Sequence, residues 1–402
     1  MKNFGTLFGY EIKKIWERKL TWAALILLAV FVIYDTMPHL REGGVTYHVE
    51  MEDGSELSRK ISDQEQFKIE LAGAQLLDGQ LMDEAFFQEM RNSLPPHPSI
   101  EDDLEGYTNY DYINWFYLAD PTYLGFYRYM NPGLDMETIT AEKYYTYYWE
   151  TVEQEWKKLK LSNDEIAYWE DMADRIEQPF TYWDVAGTVK FVSEVQSIIV
   201  RLLPLLVGIC LCNIFPQERR RRVDTLIFSA PNGRVPLYLA KLLAGALSVI
   251  GLTILLFSVA ATVVVLTYGR ISLIAAVQLI VGSCWPITIG QFLLILLGFL
   301  IVYALLCGGL TMLTALLTGS SVAGLAVCIV PMLLDMLLPY SDAPYLPGNL
   351  ISPRILGNFH LTNLLGFQFN TIQMGFLLYG GAAVLLLILC WPGWQRSAAG
   401  KG

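Results

Sequence analysis

Apolar residues in this 402-residue chain are gathered into long blocks rather than spread among polar ones. Residues 237–266, 292–317 and 374–391 are near-continuous apolar stretches. Each is long enough to cross about 30 Å of hydrocarbon at about 1.5 Å per residue. Lys241 is the one charge within them, close to a helix end where a lysine can snorkel. Weaker blocks complete a set of six expected membrane spans, at about 20–37, 192–215, 237–268, 291–317, 322–338 and 374–391. The first follows Lys13, Lys14, Arg18 and Lys19 as a secretory signal would, but Tyr34-Asp35-Thr36-Met37-Pro38 after it holds no small-x-small cleavage pattern. It is read as an anchor that stays.

The remaining pattern predicts shorter elements. Phe4, Leu7, Phe8, Ile12, Ile15 and Trp16 recur at helical spacing, so 1–19 is expected to be an amphipathic helix lying in the membrane interface, or otherwise packed on a partner. The apolar run 271–282 is too short to span and fits an interfacial or re-entrant helix. Residues 339–373, rich in Pro, Gly and Asn, are expected to be a loop whose ends dip into the bilayer, and Thr318-Gly319-Ser320-Ser321 a tight hairpin between spans four and five. Between spans one and two lies a large insert, 39–191. A hairpin is predicted around Asp53-Gly54, and helices follow it, with capping-box spacing at Ser62/Glu65 and Ser162/Glu165. Aromatics crowd 107–149; such a stripe can bind a peptide or sugar, but it more often forms a core or rests on a membrane.

Composition sharpens this picture. The chain is 53% hydrophobic and 17% charged, with a net charge of −11. Residues 40–191 hold 31 acids against 12 bases, and the rest 8 acids against 16 bases, so the acidity belongs to the insert. That distribution argues against a nucleic-acid partner, which needs a concentrated basic surface. Five bases in 1–19, five arginines in 216–236, and Arg396 with Lys401 place both termini in the cytoplasm and the insert outside by the positive-inside rule. The six cysteines all fall outside the insert, mostly in apolar stretches, which excludes a disulfide-stapled ectodomain and suggests no zinc site. His39, His48, His97 and His360 are isolated, and no His-Glu-x-x-His occurs. His360 is read as structural or solvated. Neither a catalytic constellation nor a metal site is expected, and no phosphate-binding Gly-x-x-x-x-Gly-Lys-Ser/Thr loop is present.

The segment Phe215-Pro216-Gln217-Glu218-Arg219-Arg220-Arg221-Arg222-Val223-Asp224-Thr225-Leu226-Ile227-Phe228-Ser229-Ala230-Pro231 carries the most information. Its apolar triplet Leu226–Phe228, ringed by arginines, suits docking into a groove on a soluble partner; a loop resting on lipid headgroups would explain the arginines alone. Glu218, Thr225-Leu226, Ala230-Pro231 and Lys241 together resemble the cytoplasmic loop of ABC type-2 exporter permeases, in the branch with a large extracellular domain between the first two spans.

That resemblance implies an all-α polytopic membrane protein of six transmembrane helices with an N-terminal interfacial helix, plus a mainly helical α+β extracellular domain. The expected divisions are 1–19 interfacial helix, 20–38 first span, 39–191 extracellular domain, 192–215 second span, 216–236 coupling loop, 237–392 spans three to six with outer re-entrant segments, and 393–402 cytoplasmic tail. It also implies a bacterial plasma membrane and export of a peptide, antibiotic or lipid-like substrate. A nucleotide-binding ATPase subunit would hold ATP and Mg and dock through Glu218, Thr225, Leu226, Ile227, Phe228 and Pro231. A second permease chain, identical or related, and membrane lipids complete the expected partners. The alternative is a receptor or scaffold whose outer domain binds a ligand without transport.

Charges inside the spans supply the other candidates. Lys190, Glu194 and Arg201 lie at i, i+4 and i+11, on one face of a helix. Arg201 is expected to line a subunit interface or transport path with Glu194 as its partner, or else to snorkel toward Lys190 and Glu194 above the bilayer. Asp335 and Asp35 fall near the outer ends of their spans, and Asp335 joins the path or interface candidates.

Overall fold

The computed structural model describes residues 4–37, 43–50, 53–94, 110–130, 134–221, 235–338 and 344–399. Helix α1 (Phe4–Trp16) leads at once into α2 (Lys19–Thr36), an all-round apolar helix. The insert then opens with an antiparallel hairpin, β1 (Gly44–Glu50) on β2 (Glu56–Ser62), paired from Gly44↔Ser62 to Glu50↔Glu56. Gly54 takes φ +74°, and Asp53 accepts the backbone N–H of Ser55, the turn chemistry that Asp-Gly favours. Among the described residues six helices follow: α3 (Asp63–Leu76), α4 (Glu84–Asn92), α5 (Tyr110–Leu118), α6 (Leu124–Met130), α7 (Ala141–Leu159) and α8 (Asn163–Ala173). Ser62 caps α3, and Ser162 with Glu165 forms a complete capping box on α8.

The insert's core is built largely of aromatic rings, some of them from the 107–149 stripe. Phe86, Phe87, Phe116, Phe126, Tyr144 and Trp169 are all nearly inaccessible, and Phe86, Phe87, Phe126 and Tyr144 meet one another edge-on or tilted with ring centroids 5.3–5.8 Å apart. Of the readings expected for 107–149, core holds for Phe116, Phe126 and Tyr144.

The helical bundle begins with α9 (Ala186–Glu194), passes through a π-helical turn at Val195–Ile199, and continues as α10 (Val200–Leu211) into the short α11 (Pro216–Arg220). Two long helices follow, α12 (Val235–Tyr268) and α13 (Ile289–Thr318), the latter opened by a Thr288/Gln291 capping box and closed by Gly319 at φ +65°. The pair α14 (Ser321–Ala326) and α15 (Ile329–Leu337), the small α16 (Pro347–Leu350), the hairpin β3 (Leu361–Leu364) on β4 (Phe367–Asn370), and α17 (Thr371–Ala399) complete the chain.

Among the described residues five helices are long and apolar enough to cross a membrane: Lys19–Thr36, Ala186–Glu218, Val235–Tyr268, Ile289–Thr318 and Thr371–Gln395. The protein is a mostly helical, multi-pass membrane protein with a small α+β region between its first spans. The expected fifth span, 322–338, is not one continuous helix. Pro331 has no N–H to give Val327, and the helix breaks at Val327-Cys328. The two pieces cover Ser321–Leu337, about 26 Å at 1.5 Å per residue, short of the roughly 30 Å hydrocarbon core. Nor is 271–282 a helix: it holds one 3-10 turn, Val277–Leu279, and a bridge from Ala276 to Thr288. The β3–β4 hairpin, in the segment expected to be loop, is likewise new.

The chain direction of each helix sorts the connections onto two sides. The insert, the 269–288 segment and the 344–370 segment share one side, here the insert side; the short α11 (Pro216–Arg220) and Ser320 share the other, the arginine side. The insert is bonded to the bundle's own loops. Tyr148 Oη donates to the carbonyl of Ser283 at 2.9 Å and accepts its N–H at 2.8 Å, while Trp169 Nε1 donates to the carbonyl of Phe359 at 2.6 Å. Glu165 Oε1 accepts the Leu361 N–H at 2.9 Å.

Candidate functional site

Two groups of charged side chains lie within the bundle, one on each side. On the arginine side Lys241, in the first two turns of α12, is 1% exposed rather than snorkelling. Its Nζ stands 2.7 Å from Glu218 Oε1, 3.2 Å from Glu11 Oε2 and 2.7 Å from the carbonyl of Ile214, with the Phe215 ring centroid at 5.8 Å. Lys14 closes the ring, 2.6 Å from Glu11 Oε1 and 3.3 Å from Glu218 Oε1. Two acids and two bases thus neutralise one another where α1, α11 and α12 converge. The Lys14 pKa is raised: burial pulls it down, but pairing with Glu11 and Glu218 outweighs that.

Neighbouring bonds fix the same corner. Trp16 Nε1 donates to Ser248 Oγ at 3.1 Å, and Arg18 reaches the carbonyls of Ile209 at 2.8 Å and Cys210 at 3.1 Å. Ser321 Oγ bonds Asn213 Oδ1, tying the start of α14 to the end of α10. The helix α1 is therefore packed onto α2 and α12, with Glu11 and Ile15 buried. Glu218 is the one docking candidate inside the described residues; Thr225, Leu226, Ile227, Phe228 and Pro231 lie outside them. Glu218 also roots that segment in the ionic ring.

On the insert side the expected Glu194–Arg201 partnership does not form. In an uninterrupted α-helix residues seven apart share a face, but the π turn at Val195–Ile199 takes up an extra residue and rotates everything after it by about 100°. Glu194, fully buried, pairs instead with Lys190, whose Nζ is 2.6 Å from Glu194 Oε1 and 3.0 Å from Asp35 Oδ2. Arg201 faces Asp335, with Nε 3.9 Å from Oδ2, close enough for attraction and too far for a hydrogen bond. Asp335 is held from its other side: Oδ1 accepts the Gly348 N–H at 2.8 Å, and the Gly348 carbonyl accepts Gln196 Nε2 at 3.1 Å. A Cβ on residue 348 would stand 2.6 Å from Asp335 Oδ1, so glycine is what lets the backbone approach the carboxylate. Asp335 is tucked against α16, its side chain 5% exposed.

The sequence reading passed over Glu11, Lys14 and Gly348. Glu11 had a visible signal: it falls at i+4 from Leu7 and i−4 from Ile15, an acid on the apolar face of α1 that needs a base. Nothing comparable marked Gly348. Among the described residues no group of three or more His, Cys, Asp or Glu could hold a metal ion. All six cysteines are buried and free.

Compared with known proteins, residues 6–350 match the family described as ABC-2 family transporter protein. No curated protein and no solved structure matches the chain. The matched stretch contains every member of both charge groups.

Proposed function

Because this chain belongs to the ABC-2 family of transporter permeases, we propose that it is the membrane half of an exporter driven by ATP hydrolysed on a separate subunit. Permeases of this family have no ATPase domain and generally pair with a nucleotide-binding ATPase subunit. In this reading both termini and 216–236 face the cytoplasm of a bacterial cell, 39–191 forms the extracellular domain, and the broken α14–α15 pair is the fifth of six spans. A second permease chain completes the path, and ATP with Mg stays on the ATPase pair. The cargo is a peptide, antibiotic or lipid-like molecule.

The observation that carries the proposal is the buried ring around Lys241. Glu218 joins the end of the second span to the segment containing Thr225, Leu226, Ile227, Phe228 and Pro231, and Lys241 joins Glu218 to Glu11 of α1. A push on that segment as the ATPase pair closes is delivered to α1, α10 and α12 together, because their shared charges cannot be separated cheaply inside the bundle. Arg201 and Asp335 then lie where the spans rearrange, with the Lys190–Glu194 pair beyond the π turn on the same helix. Copurification tests the docking claim. The wild-type chain is expected to retain an ATPase subunit in stoichiometric amount, and Leu226→Asp with Phe228→Asp to lose it while the chain stays monodisperse. Retention by the double variant, or a wild-type chain with no such companion, overturns the proposal in favour of a receptor or scaffold.

A further inference from the structure

A cavity of about 260 Å³ lies between α13, α15 and α17 on the insert side, walled by Tyr303, Leu306, Pro331, Leu334, Leu378 and Tyr379 and closed by the start of α16. It exceeds the roughly 150 Å³ of an apolar cavity that stays dry and takes benzene, so it has room for a small ring system or a run of lipid-like chain. Its mouth faces outward between α15 and α17, where Leu334 is 46% and Leu378 41% exposed. On a membrane-spanning bundle that direction is hydrocarbon.

The two phenols on its wall differ. Tyr379 Oη donates to the carbonyl of Tyr345 at 2.8 Å. Tyr303 is 1% exposed, and its Oη has no oxygen or nitrogen partner among the described residues, only a weak contact with the Cys307 thiol. A buried hydroxyl in a membrane has no bulk water to satisfy it. A trapped water is a poor substitute, since it needs two to four polar partners and, beside Tyr303, the lining side chains offer only Tyr379 Oη, already engaged with the Tyr345 carbonyl. Tyr303 sits near the middle of the 30-residue α13, deeper than phospholipid ester groups lie. An acceptor for its proton must be carried inside the apolar body of the ligand.

We propose that this cavity is a lateral binding site for a largely apolar molecule bearing one hydrogen-bond-accepting oxygen within its chain or ring, to which Tyr303 donates. The site goes beyond the coupling reading and uses no ATPase contact, so its test reads ligand binding alone.

The probe is 12-doxylstearate, whose nitroxide oxygen is an acceptor carried midway along an apolar chain, added to the full chain in lipid nanodiscs. Electron paramagnetic resonance is expected to show an immobilised component with the enlarged nitrogen splitting of a hydrogen-bonded nitroxide. Tyr303→Phe should remove the enlarged splitting and weaken binding by about three- to tenfold. Leu306→Trp and, separately, Leu378→Trp should abolish the immobilised component by filling the space, while 5-doxylstearate, its nitroxide already hydrated near the headgroup, should show a splitting that Tyr303→Phe leaves unchanged. An immobilised signal that survives both tryptophan variants marks ordinary annular lipid and overturns the site. A splitting unchanged in Tyr303→Phe overturns the role of the hydroxyl and with it the ligand class.

Discussion

The two charge groups in the bundle are built to opposite standards. On the arginine side Lys241 has three oxygens within 3.2 Å, and four ionised groups cancel. On the insert side Arg201 meets Asp335 only at 3.9 Å, and its Nε makes no hydrogen bond although it is buried. Lys190 there is shared between two acids, Asp35 and Glu194. A fully satisfied polar network in a low-dielectric interior holds its helices in one arrangement. A half-satisfied one leaves room for a second arrangement of similar energy, which is what a moving part needs. The first group reads as a joint that transmits, the second as a joint that changes.

The largest effect should come from breaking the satisfied group. Lys241→Met leaves Glu218 and Glu11 facing each other out of water, with Lys14 alone to balance them. A loss of about 3–5 kcal/mol of stability is expected, the usual cost of stranding a buried charge. Thermal unfolding of the detergent-purified chain measures it, and adding Glu11→Gln should recover part of the loss because one negative charge goes with it. A loss below about 1 kcal/mol would place the ring among surface-like pairs and remove the mechanical argument.

Arg201→Ala is the counterpart, and the contrast between the two is the sharper test. Asp335 keeps its bond from the Gly348 N–H, so the expected stability loss is about 1 kcal/mol or less. Transport, assayed in proteoliposomes with the ATPase subunit, is expected to fall far more than stability does. Gly348→Ala should resemble it, because a methyl group must push the Asp335 carboxylate from 2.6 Å to an ordinary contact. If Arg201→Ala transports normally, the insert-side group has no part in the moving path.

Much of the architecture could be read from the chain because apolar blocks, turn dipeptides and caps are local signals. The Asp53-Gly54 turn and the Ser162/Glu165 capping box need only their own neighbours. The misreadings arose where the outcome is set at a distance. Helical spacing put Glu194 and Arg201 on one face, and no residue between them announces the π turn that separates them. Lys241 near a helix end was assigned to water because its partners, Glu11 and Glu218, are 230 and 23 positions away. Pro331 was the one plain warning that the fifth block would not run unbroken.

The smallest effect concerns a third charge, Glu165, placed at the seam between insert and bundle rather than inside either group. Burial pushes its pKa up, but the N–H groups of Leu361 and Ser162, the Ser162 hydroxyl and nearby His360 more than reverse this, so the folded value lies below the ordinary 4.5. A lowered carboxylate pKa adds stability above pH 4.5 and loses it as the pH falls through that value toward the folded one. Asp184, raised by burial, gains stability over the same fall and would mask the effect in the wild-type curve alone. The difference between wild type and Glu165→Gln isolates it: about 1 kcal/mol at pH 7, shrinking toward zero below pH 4. Neither bundle group should contribute to that difference, since both variants keep them intact. A gap that stays constant from pH 7 to pH 3 would mean that Glu165 acts through shape rather than charge, leaving ionic control of this molecule wholly to the two groups in the bundle.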